Sequence, residues 1–169
     1  MPKTQPKGPS PSRGGASSQA AESPTAALCC KADALYRAAA ECCRQHERVA
    51  RLLAKTSDDG EEKAAYATLD HCDGVLAEMA GAYEKAAARA HPDGDDAGWW
   101  HRANALWHSS REFARRHGES DRAARRTSTA HGPVALAELN MEYELEASAL
   151  LALRHAVDAY QKVRPTAAC

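Results

Sequence analysis

Three clusters of helix-breaking residues cut this chain into four stretches of nearly equal length, and within each stretch apolar residues recur at alternating spacings of three and four. The clusters are Thr56-Ser57-Asp58-Asp59-Gly60, His91-Pro92-Asp93-Gly94-Asp95-Asp96 and Thr127-Ser128-Thr129-Ala130-His131-Gly132-Pro133. A stretch of roughly 30 residues makes a helix of ~45 Å, and matched helices joined by short loops lie antiparallel. The pattern therefore predicts an all-α chain, an antiparallel up-down-up-down four-helix bundle over residues 25–165. Its helices are expected at about 25–56, 60–91, 96–126 and 133–164. Asp58 or Asp59 can cap the second helix and Asp95 or Asp96 the third, while Pro133 suits the first turn of the fourth.

The spacing assigns inward faces. The first helix offers Leu28, Ala32, Leu35, Ala39, Cys42, His46, Val49 and Leu53; the second offers Leu69, Cys72, Leu76, Met79, Tyr83, Ala86 and Ala90. The third offers Ala103, Leu106, Ser110, Phe113 and His117, with Trp100 and Trp107 beside them. The fourth offers Leu136, Leu139, Tyr143, Glu146, Leu150, Leu153, Val157 and Tyr160.

Composition bears on what such faces can build. Alanine supplies 38 residues against 19 of Leu, Val and Phe together, and Ile is absent, which excludes a Val/Ile-rich sandwich or parallel sheet. The core is expected to be thin. Net charge is −1, too small for a chain kept disordered by self-repulsion. By segment the formal charge alternates, +3 over 28–56, −5 over 57–91, +4 over 99–126 and −2 over 133–164, so that sequential neighbours attract. Exposed pairs of this kind select partners more than they stabilise, at ~1 kcal/mol or less each. Residues 1–24 hold five of the eight prolines and no large apolar residue after Met1, the composition of a flexible tail.

No run approaches the ~18 to 20 apolar residues of a membrane span, and the N-terminal basic residues precede no apolar stretch of a secretory signal. The expected setting is cytoplasmic, with the six cysteines reduced. A near-neutral pI of about 6.7 argues against nucleic acid as partner. No phosphate-binding glycine loop, Gly-x-Ser-x-Gly elbow or His-Glu-x-x-His motif occurs, so enzymatic function has no positive support.

Polar residues on apolar stripes carry the chemical signal. His46, His117 and Glu146 fall on core positions with Cys42 and Cys72, and each of the four helices contributes one of them at a common level. Imidazole, thiolate and carboxylate converging in a bundle suit zinc, iron or copper. The plainer alternative is that these groups satisfy one another, or that Glu146 faces the arginines of the third helix. Cys42 and Cys72 equally suit small apolar packing. His71 resembles a phosphorelay histidine only in exposure, because Asp70 and Asp73 flank it and repel phosphate. Trp99, Trp100 and Trp107 lie within nine residues and can close one end of the core or grip a partner. Two functions follow as expectations. One is a non-catalytic bundle acting through a protein partner or self-association; the other is a bundle holding a metal or redox cofactor at His46, Cys42, Cys72, His117 and Glu146.

Overall fold

The computed structural model describes residues 23–55, 59–90, 97–129 and 132–165; the expected tail lies outside them but for its last two residues. Four helices account for nearly all of the described chain: α1 Pro24–Leu53, α2 Asp59–Ala87, α3 Ala97–Thr129 and α4 Pro133–Gln161. Cross-helix bonds fix their directions. Cys42 meets Asp73, Tyr83 meets Asn104, Arg126 meets Glu138, and Glu47 and Asp33 meet Arg154 and Arg164. In each pair of helices the numbers rise on one as they fall on the other, so neighbours are antiparallel. This is the expected four-helix bundle.

The packing is uneven around the ring. α1 lies chiefly on α2 and α3 chiefly on α4, so the bundle is two hairpins face to face. α1 also reaches α3 across the centre, whereas α2 and α4 do not touch among the described residues. The shared core runs from Leu28, Leu35 and Tyr83 through Leu106 and Phe113 to Leu153 and Tyr160, with Ala32, Ala39 and Ala103 letting backbones approach. A second, smaller cluster of Val49, Ala65 and Leu69 belongs to the first hairpin alone.

The stripes locate most buried positions, with three corrections. Leu53, Leu136 and Tyr143 are 56%, 53% and 49% exposed. The first half of α4, residues 133–148, has no buried residue. The ion pairs that reach this side from α1, Glu47 to Arg154 and Asp33 to Arg164, lie beyond that half.

Local chemistry explains the helix ends. Ser23 Oγ accepts from the Ala26 N–H at 3.1 Å and Pro24 opens the first turn of α1. Asp59, Glu61 and Glu62 complement the positive end of α2, whereas Asp58, Asp95 and Asp96 lie outside the described residues. Pro133 opens α4 as expected, and that helix stops at Gln161, short of the expected 164. α3 continues through Thr129, three residues past the expected end. There the hydroxyls of Thr127, Ser128 and Thr129 bond back to the carbonyls of Ala123, Arg125 and Arg126, so residues that suit a turn extend a helix.

The arginine run of α3 is met largely within its own helix. Arg115 and Arg116 pair with Glu112 and Glu119, and across the hairpin Arg126 meets Glu138 at 2.5 Å and Arg116 meets Glu142 at 4.0 Å. No described helix is long and apolar enough to cross a membrane. The expectation of six thiols is corrected: Cys30 is disulfide-bonded, which its spacing could not reveal, while Cys42, Cys43 and Cys72 are free thiols.

Candidate metal centre

At mid-height the apolar core gives way to polar side chains from all four helices. Cys42 and His46 stand one turn apart on α1, which puts them on the same face. Cys42 is fully buried and its thiol donates to Asp73 Oδ1 of α2 at 3.1 Å. His46 Nε2 lies 3.5 Å from the same oxygen. One donor atom from each of Cys42, His46 and Asp73 lies within 4.8 Å of the other two. Around a tetrahedral zinc with bonds of ~2.0 to 2.3 Å, donor atoms stand roughly 3.3 to 3.8 Å apart, so small side-chain shifts bring this triad to metal-binding geometry.

α3 and α4 close the other side. His117 Nε2 is 3.3 Å from Asp73 Oδ2, and its Nδ1 is 2.7 Å from Glu146 Oε1. Glu146 Oε2 accepts from the Ser120 hydroxyl. Phe113, one turn before His117, packs its ring edge-on to His46 at 5.0 Å and stacks with His117 at 6.0 Å, walling the cluster on the apolar side.

The electrostatics define which atoms carry protons. Burial pushes the Cys42 thiol far up, and the Asp73 carboxylate beside it adds to the shift. Burial opposes ionisation of Glu146 too, yet the bonds from His117 and Ser120 outweigh it and hold the group below the usual carboxylate value. The bond from Glu146 raises His117 above the usual imidazole value against desolvation, with Asp73 assisting. An ionised Glu146 can only accept, so Nδ1 of His117 carries the proton in that bond. When His117 is neutral its Nε2 lone pair faces Asp73 Oδ2, and when it is protonated Nε2–H faces the same oxygen as an ion pair. Neither Asp73 Oδ2 nor His46 Nε2 has a hydrogen-bond partner, although both are buried. His46 Nε2 faces Asp73 Oδ1 and His117 Nε2 faces Asp73 Oδ2, and lone pairs that face each other in this way cost free energy unless a cation or a proton lies between them.

Of the residues expected here from sequence, His46, Cys42, His117 and Glu146 come together. The donor from α2 is Asp73 and not Cys72. Cys72 is buried one position earlier, ~100° around the helix, with Glu41 the nearest influence on its thiol after burial itself. Glu146 has both oxygens engaged by protein partners, so it stands behind His117. His71 is exposed and apart from the cluster. Sequence reasoning missed Asp73 because it sits off the apolar stripe; a carboxylate three to four residues from Leu69 and Leu76, at the level of two inward histidines, was the available signal.

The tryptophans are turned inward. Trp99 is buried, and Trp100 and Trp107 are half-buried against the core with their indole N–H groups shielded. Trp107 lies under the Arg111 guanidinium at 5.4 Å and against Tyr83, whose hydroxyl donates to Asn104 at 2.8 Å. The chain matches no protein-family model, no curated protein and no solved structure.

Proposed function

We propose that this protein is a four-helix bundle that binds a divalent transition metal in its core, through Cys42 Sγ, His46 Nε2, Asp73 and His117 Nε2. The observation that carries the reading is the convergence of a thiol, an imidazole and a carboxylate within 4.8 Å, with His46 Nε2 and Asp73 Oδ2 buried and without a hydrogen bond. One thiolate, two imidazoles and one carboxylate form a borderline donor set suited to zinc, cobalt(II) or iron(II) more than to magnesium or calcium, which take oxygen. His117 already has the arrangement of a metal-ligating histidine, one ring nitrogen held by a carboxylate and the other facing the site. Binding expels the proton of the Cys42 thiol, because only the thiolate ligates. Full burial of the free Cys42 thiol shields it from oxidation.

Zinc titration of the metal-free chain against a chromophoric chelator tests this. The reading predicts one zinc per chain, lost on Cys42→Ser and Asp73→Ala substitution. Uptake that is absent in the wild type, or unchanged in both variants, refutes it and leaves a protonated His117 between two carboxylates as the reason for the cluster.

The exposed apolar residues of α4 favour a second reading, a non-catalytic bundle acting through protein contacts or self-association. Val134, Leu136, Met141 and Tyr143 are each about half exposed or more. Sedimentation of the wild type beside Leu136→Asp decides it: self-association through this face predicts an oligomer that the variant abolishes, and two identical monomers refute it.

A further inference from the structure

We infer that Glu146, supported by Ser120, is a positioning residue that aims His117 at the metal and is not itself a ligand. The inference rests on the metal reading above. Glu146 Oε1 lies 2.7 Å from His117 Nδ1, and Oε2 takes the Ser120 hydroxyl from the turn that follows His117 on α3. The carboxylate is thereby held at two points against α3, and neither oxygen is left to turn toward Asp73 or Cys42. Held in this way it fixes one tautomer of His117, Nδ1 protonated and Nε2 bare, and fixes the ring plane. Nε2 then points at Asp73 Oδ2 at 3.3 Å, from the opposite hairpin to the other three donors.

Three features make this more than a structural bridge. His117 is the most exposed of the cluster, its side chain 32% accessible against 13% for His46 and 15% for Asp73, so packing alone constrains its rotation least. Phe113 stacks on one face of its ring, which blocks one rotation but leaves the ring free to flip end for end. A half-turn about Cβ–Cγ would put Cδ2 where Nδ1 stands and Cε1 where Nε2 stands, and the Glu146 bond to Nδ1 opposes that turn. Arg116, one residue before His117, is committed to Glu112 and Glu119, so it does not compete for Glu146.

Carboxylates behind ligating histidines commonly contribute a factor of 10 to 100 in metal affinity. The test is a double-mutant cycle on the full chain, reading zinc affinity by chelator competition and cobalt(II) absorption in parallel. Glu146→Ala is expected to weaken zinc about 10- to 100-fold. His117→Ala is expected to weaken it at least as much, and the double variant no further than His117→Ala alone. Glu146→Gln keeps an acceptor for the Nδ1 proton, so it should recover most of the loss and leave the cobalt spectrum unchanged. Ser120→Ala should cost less than Glu146→Ala.

A purely structural role predicts a lower melting temperature for Glu146→Ala with wild-type affinity and spectrum, which overturns the inference. A loss that persists in the His117→Ala background also overturns it, because Glu146 would then touch the metal directly. If Glu146→Ala does not fold, Glu146→Gln carries the test: wild-type ligand-field bands support positioning, and bands altered as by loss of a ligand refute it. Failure of the wild type to take up either metal overturns the metal reading itself, an outcome distinct from the others.

Discussion

Replacing Asp73 by alanine should leave the metal-free protein almost as stable as before while removing its response to metal. In the metal-free chain the carboxylate accepts the Cys42 thiol, a contact worth ~1 kcal/mol, and Oδ2 faces His117 Nε2 at 3.3 Å, while burial of the carboxylate offsets those gains. Alanine is also the better helix former by up to ~0.7 kcal/mol. The net change is then within about 1 kcal/mol, or ~2 to 4 °C in melting temperature at this chain length. With zinc free at one hundred times the dissociation constant, linkage adds ~2.7 kcal/mol to the wild type, a rise of about 5 to 11 °C. Loss of one ligand from the triad that weakens zinc a hundredfold leaves only ~0.4 kcal/mol under the same conditions, a rise of about 1 to 2 °C. The assay is thermal unfolding followed by circular dichroism at 222 nm, with and without zinc. Equal zinc-induced shifts in the two proteins would refute the assignment of Asp73 as a ligand. A metal-free Asp73→Ala chain that melts tens of degrees lower would refute the account of its energetics.

Further outcomes follow from the same geometry. For the His117–Glu146 pair the signs oppose: His117 is raised, so its contribution is complete below its unfolded value near 6.5 and fades as pH rises through the folded one. Glu146 is lowered, so its contribution is complete above its unfolded value near 4.5 and fades as pH falls through the folded one. Metal-free melting temperatures should therefore hold a plateau between about pH 4.5 and 6.5 that flattens in His117→Ala; an unchanged profile in that variant would contradict the pairing. Leu106→Ala, at a fully buried site, should destabilise by ~2 to 5 kcal/mol in urea unfolding. Leu136→Ala, 53% exposed, should change stability by no more than ~0.5 kcal/mol, and a core-sized loss there would restore the inward position that the stripe implies. Burial pushes the Cys43 thiol up to about 11, so iodoacetamide at neutral pH should label it far more slowly in the folded than in the unfolded chain.

Most of the fold was legible because helical spacing, breaker clusters and short connections each depend on nearby residues. The same spacing carried Cys42, His46, His117 and Glu146 to one level. What it could not carry was the relation between non-sequential helices. Leu136 and Tyr143 continue the α4 stripe faithfully, yet both are exposed. Asp73 against Cys72 is the same limitation at the scale of one residue: which of two neighbours faces the centre depends on how α2 is rotated against α1, and the apolar pattern fixes that only to within part of a turn. The end of α3 was hidden for another reason, since hydroxyl side chains that suit a loop equally cap carbonyls of a helix that continues.

Titration of the metal-free chain with cobalt(II) tests the central claim most directly, because a single spectrum reports stoichiometry, geometry and the thiolate ligand together. The account predicts saturation at one cobalt per chain, with tetrahedral ligand-field bands and a thiolate-to-cobalt charge-transfer band that disappears in Cys42→Ser. A flat titration, or a charge-transfer band that survives unchanged in Cys42→Ser, would contradict it.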